Sequence, residues 1–98
     1  MDNVFFILKI EDVFMIKGKG VVIVAGKIQW GAIHDKAEVL ITDETGKVLQ
    51  KTTLIDLDWF DRSRYGEHVT ADKGMNIALI FPLKDKDYLR KGHNIVIR

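Results

Sequence analysis

Between Ile10 and Gly31 the chain reads IEDVFMIKGKGVVIVAGKIQWG: a charged pair, a Gly-Lys-Gly corner, and a β-favouring run with a glycine in its middle. Two glycines in Lys17 to Gly20 permit positive φ at a tight corner, so this stretch reads as strand, turn, strand. Ala25 and Gly26 interrupt the second run, and a glycine inside a strand marks a bulge or a barrel bend. Sharp bending of single strands is how small barrels close, which sets the architecture for everything that follows.

The rest of the chain repeats the same grammar. Val4 to Ile10 is β-branched and aromatic, Glu11 and Asp12 break the pattern, and Val13 to Ile16 resumes it. Gly31 to Lys36 reads as a connection and Ala37 to Thr42 as a strand. Asp43 to Gly46 reads as a hairpin loop, and Lys47 to Leu57 as the return strand. Asp58 to Lys73 is the least regular segment, with a short strand at Glu67 to Thr70 and a turn at Ala71 to Gly74. Met75 to Phe81 is apolar enough for a buried strand that Pro82 ends. Asp85 to Lys91 resembles one helical turn stopped by Gly92, and His93 to Ile97 closes the sheet. Seven or eight short strands without long 3.6-residue periodicity predict an all-β fold, a small closed antiparallel β-barrel.

Composition narrows what such a barrel can do. With 98 residues, one core and one domain spanning 1–98 is the expectation. A hydrophobic share of 47% against 30% charged residues gives enough apolar surface for a real core. The formal net charge is +1, so nucleic-acid contact has to come from a local patch and not from a global basic field. The sequence has no cysteine, which removes disulfides, thiolate metal sites and thiol nucleophiles and is compatible with a reducing compartment. No apolar run approaches the ~20 residues of a membrane helix, and the amino terminus lacks a signal-peptide pattern, so a cytoplasmic protein is expected.

Motifs along the chain resemble the second, β-barrel domain of translational GTPases, the elongation factor Tu family. Ile10-Glu11-Asp12-Val13-Phe14 is similar to that family's strand-start motif, Gly18-Lys19-Gly20 to its Gly-basic-Gly corner, and Gly26-Lys27-Ile28-Gln29-Trp30-Gly31 to its next glycine-bracketed strand. Glu38-Val39, Lys51-Thr52-Thr53, Gly74-Met75-Asn76-Ile77-Ala78-Leu79 and Arg90-Lys91-Gly92 resemble later segments, so the likeness covers roughly residues 5 to 97. Five residues separate Gly20 from Gly26, one more than the family's spacing, which predicts a larger bulge or a slipped register there. No Gly-x-x-x-x-Gly-Lys-Ser/Thr occurs, so the resemblance implies a stand-alone copy of the barrel without the GTPase domain and without its chemistry.

In that family the barrel lends one wall of the pocket for the aminoacylated terminal adenosine of transfer RNA. By matching motif position, the resemblance assigns Glu11, Asp12 and Phe14 to the entry side, Asp58 to the neighbourhood of the terminal ribose, and Asn76 to the amino acid's amino group. Carboxylates and an amide can accept hydrogen bonds from ribose hydroxyls and an ammonium, and an aromatic face offers stacking. An arginine expected just past Asp58 is replaced by Asp61. The same side chains can instead satisfy backbone groups at strand ends and turns.

Trp30, Trp59 and Phe60 fall outside clean core alternation. Trp30 and Trp59 are the candidate interface residues, and Trp30 is either an exposed interface anchor or a lid on the barrel. Lys17, Lys19 and Lys27 with Arg62 and Arg64 make either a modest basic patch or a solvated face. His34, His68 and His93 are too scattered for a metal-ligand spacing, and Ser63 lacks an adjacent base or a nucleophile elbow. The expectation is therefore a non-catalytic binding module with no cofactor and no metal. Its partner is transfer RNA or a translation-related protein. The alternative is a protein-interaction or structural barrel unrelated to translation, with self-association through Trp30 and neighbouring strands as one form of it.

Overall fold

The computed structural model describes residues 4–16, 18–59, 70–72 and 74–98. Eight strands appear in them: β1 (Phe6–Ile16), β2 (Val21–His34), β3 (Glu38–Thr42), β4 (Val48–Thr53), β5 (Asp56–Trp59), β6 (Thr70–Asp72), β7 (Asn76–Pro82) and β8 (Asn94–Ile97). They form one antiparallel sheet in the order β4-β3-β8-β1-β2-β7-β5, with β6 paired to the end of β2. The sheet curls into a half-barrel, the all-β architecture expected. Its first and last strands, β4 and β5, are consecutive in the chain and joined through Leu54 and Ile55, so the covalent backbone carries the curl back to its starting edge.

Alternation fills the inside. Phe6, Leu8 and Ile10 of β1, Val22, Val24 and Ile28 of β2, and Leu79 and Phe81 of β7 are all buried, with Ile41, Leu57 and Ile95 completing the same cluster. Each such side chain contributes about 1.5–3 kcal/mol relative to exposure, an upper estimate because the unfolded chain already buries part of this surface.

The central pair β1–β2 holds the main departures from sequence expectation. Glu11 and Asp12 do not end a strand. β1 runs through them, with Ile10 opposite Gly26 and Asp12 opposite Ala25, which leaves Glu11 as an extra, bulged residue. The β2 hairpin arm is regular from Val21 to Ala25, so the five residues between Gly20 and Gly26 carry no bulge of their own. A second shift, between Ile7/Trp30 and Leu8/Ile28, places its extra residue, Gln29, on β2 and cancels the first. Within the shifted section Gly26 is indispensable: a Cβ there would collide with the Lys9 carbonyl oxygen and stand 2.9 Å from the Leu8 Cδ2. Gly31 has a φ of +76°, and a Cβ there would run into the Phe5 carbonyl; β2 bends at this point and continues to His34, where a connection was expected.

Three further elements differ. The expected return strand Lys47 to Leu57 breaks at Leu54 and Ile55, because Leu54 turns into the core and the Ile55 amide bonds to Ile80 of β7 at 2.7 Å. Ala71 lies in β6 and not in a turn, and the expected strand residues from Glu67 to Val69 lie outside the described residues. The helical turn falls at Leu83–Asp85, immediately after Pro82, earlier than Asp85 to Lys91. Asp85 explains the placement: it is fully buried, accepts a 2.6 Å hydrogen bond from the Thr52 hydroxyl and a longer one of 3.4 Å from Gln50, and so pins the turn beneath β4.

Candidate functional site

Because β-strand side chains alternate, cross-strand partners define rows on the outer face of the curl. One row runs Asp12–Ala25–Ala78–Asp58 across β1, β2, β7 and β5. The next runs Phe14–Ile23–Ile80–Asp56, and the row on the other side runs Asn94–Lys9–Lys27–Asn76. The two alanines of the first row keep its centre low while carboxylates stand at both ends. The bulge adds Glu11, which is exposed beside Asp12.

This relief makes a groove of about 450 Å³. Ala25, Gly26, Ile77 and Ala78 line its floor, and Glu11, Asp58 and Asn76 its walls. Three of the five residues assigned by resemblance, 11, 58 and 76, therefore meet in one place although they come from three strands. The other two lie on the same outer face without lining the groove. Asp12 ends the row opposite Asp58 and pairs with Lys91 at 3.5 Å, an exposed ion pair of little energetic weight. Phe14 is 53% exposed and sits opposite Ile23.

The groove's chemistry is one-sided. Its walls offer two carboxylates and one amide, and no lining residue is basic. Such a surface accepts hydrogen bonds from hydroxyls and attracts an ammonium or guanidinium, while repelling a phosphate. Among the described residues neither the Glu11 nor the Asn76 side chain hydrogen-bonds to the protein's own backbone. Asp43 shows what the alternative looks like. Its carboxylate accepts from the Thr45 hydroxyl at 2.6 Å and from the amides of Thr45 and Lys47 at 2.9 and 3.0 Å. The Thr45 hydroxyl bond and those amides hold its pKa below the ordinary value of 3.8.

Trp30 is 53% exposed on the outer face opposite Ile7. Trp59 ends β5 opposite Ile77. Of the basic residues singled out in the sequence, Lys19 is exposed in the β1–β2 turn and Lys27 is exposed opposite Lys9, while Lys17, Arg62 and Arg64 lie outside the described residues, as do Phe60, Asp61, Ser63 and His68. His34 contacts the Asp35 carbonyl at 2.9 Å and His93 the Tyr88 carbonyl at 2.8 Å. Among the described residues no group of three or more His, Cys, Asp or Glu side chains is arranged to hold a metal ion, and no helix is long and apolar enough to cross a membrane. Sequence reasoning missed the small floor residues Ala25 and Ala78 and the partner lysine Lys9. The short side chains were visible, but only strand pairing shows that they are neighbours.

A curled antiparallel half-barrel sheet of this order is the fold of translation factor domain 2. Translation elongation factor SelB from Methanococcus maripaludis, in its apo form, superposes with a TM-score of 0.72 over 99% of this chain and 19% of that one; at 19% identity the likeness is one of fold. The apicoplast elongation factor Tu of Plasmodium falciparum (isolate 3D7) is 34% identical over 92 residues, which is 92% of this chain. The chain is an elongation factor Tu domain 2-like module. It spans 21% of that relative's length. No model of a known protein family matches the sequence.

Proposed function

We propose that this module is a non-catalytic binding unit of translation that holds the aminoacylated 3′ end of transfer RNA in the groove between β1, β2, β7 and β5. The observation that carries the reading is the convergence of Glu11, Asp58 and Asn76 on one groove with an alanine-rich floor. Its walls suit a ligand that presents hydroxyls and a cationic amine, as a terminal ribose esterified with an amino acid does. An uncharged end presents ribose hydroxyls without the ammonium that the two carboxylates attract, so it gains less from the groove. The relative's name sets that protein in an apicoplast, and the proposed site of action here is whichever compartment, cytoplasm or organelle, runs the translation this module serves.

The test is a titration of the purified chain with aminoacylated and uncharged transfer RNA at two salt concentrations. Saturable binding that prefers the aminoacylated form is expected. Asp58→Ala and Asn76→Ala should each weaken it by about fivefold to about 150-fold, the range for one hydrogen bond of ~1–3 kcal/mol, and for Asn76→Ala the melting transition should stay unchanged. Equal affinity for both forms, or variants that lose stability in step with binding, would remove the reading. Saturable binding of a translation factor or ribosomal protein in place of transfer RNA would transfer the groove to a protein partner.

A further inference from the structure

The outer face does not stop at the groove. Asn76, which lines it, begins the row Asn76–Lys27–Lys9–Asn94, and beyond that lies Trp30–Ile7–Val96–Leu40. Lys9 and Lys27 are both exposed and directly opposite each other. Trp30 is 53% exposed, and Phe5, two residues before Ile7, is 63% exposed. Gln29, the extra residue of the second bulge, lies exposed between Lys27 and Trp30. Neither row contains a carboxylate. The surface is thus a strip of lysines and amides bordered by two aromatic side chains, continuous at one end with the acid-walled groove.

We infer that this strip is a platform for single-stranded RNA, with bases stacked on Trp30 and Phe5 and the phosphodiester backbone running over Lys9 and Lys27. The inference deepens the proposed function and rests on it only for direction: the strand's 3′ end would point into the groove. Two directly opposed lysines repel each other in the free protein, and a phosphate between them relieves that repulsion. Aromatic faces take any base, and the Asn76 amide at the groove end reaches base edges and 2′-hydroxyls, while the Gln29 and Asn94 amides donate to the Lys27 and Asp43 carbonyls. The division of labour is physical: phosphates go where there are cations and no acids, and the phosphate-free end of the strand goes where there are acids and no cations. Loss of Gly31 flexibility would misplace Trp30, because the bend at Gly31 follows it directly.

The probe is a fluorescein-labelled oligoadenylate of about eight nucleotides with a blocked 3′ end, followed by fluorescence anisotropy from about 50 to about 200 mM salt. Blocking the end disables the groove and leaves the platform. Saturable binding is expected; Trp30→Ala should weaken it at least about fivefold and Trp30→Phe should restore most of it, because stacking needs only a ring. Lys9→Ala with Lys27→Ala should lower the log–log salt slope by about 1.4, two phosphate contacts at ~0.7 each. Lys84→Ala, in the 3-10 turn outside both the strip and the groove, should leave this probe's affinity unchanged, which ties the effect to the strip's own lysines. The inference is overturned by absent binding, by a Trp30→Phe variant as weak as Trp30→Ala, by tighter capture of an acidic aromatic peptide, or by concentration-dependent self-association that Trp30→Ala abolishes.

Discussion

The β3–β4 hairpin and the bulged middle of β1–β2 both carry carboxylates at turns of strand geometry, and they use them in opposite ways. In the hairpin, Asp43 organises its own loop by accepting from Thr45 and Lys47, and Asp85, reaching in from the 3-10 turn after β7, is buried against the hairpin's Thr52 and Gln50. Those acids are consumed by the fold. In β1–β2 the bulge pushes Glu11 out beside Asp12, over a floor of alanine and glycine, with no basic residue lining the groove. A carboxylate's role here follows from whether internal donors reach it, which residue type alone does not reveal.

The contrast can be broken, starting with the largest effect. Gly26→Ala forces a Cβ into the β1 backbone at the Lys9 carbonyl, and backbone cannot step aside as a flexible side chain can. A loss of about 3 kcal/mol is expected in urea unfolding; a near-neutral result would mean that the shifted register between the two bulges is not obligatory. Next is Thr52→Val, which strips Asp85 of its shortest hydrogen bond inside the protein. It should cost about 1–3 kcal/mol by the same measurement, and a smaller loss would show that the acid's burial is not held by Thr52.

Asp43→Asn should destabilise the protein less than either, and in a pH-dependent way. The folded pKa is lowered, so the carboxylate's contribution is present above the ordinary value of 3.8 and is lost as pH falls through the depressed folded value. Melting curves of the variant and the wild type should therefore converge at acid pH. A constant gap would mean that the loop gains nothing from the charge. The smallest effect belongs to Glu11→Gln, which should change stability by no more than about 0.5 kcal/mol. If it matched Thr52→Val, Glu11 would belong with the acids that build the fold, and the distinction between the two regions would fail.

Much of this was legible from local chemistry. The Asp43–Gly46 loop and the Gly18–Gly20 corner each rest on residues adjacent in the chain, where turn geometry demands particular side chains. The motifs from Ile10 to Gly31 were enough to indicate the elongation factor barrel, and fold comparison agrees. The break at Leu54 and Ile55 was not legible, because the β-favouring pattern continues through it and only contacts with β7 end it. The placement of the 3-10 turn failed for the same reason: Asp85 answers to Thr52, 33 residues away.

Local sequence determined that this chain would form short strands with glycine corners, because side-chain alternation and φ preferences act between neighbours. Tertiary structure alone decided that Glu11 is a bulge residue, that Gln29 cancels its register shift, and that Glu11, Asp58 and Asn76 share one groove. Register is a collective property of paired strands: a one-residue slip reverses which face every side chain occupies, and it is settled by the whole core at once.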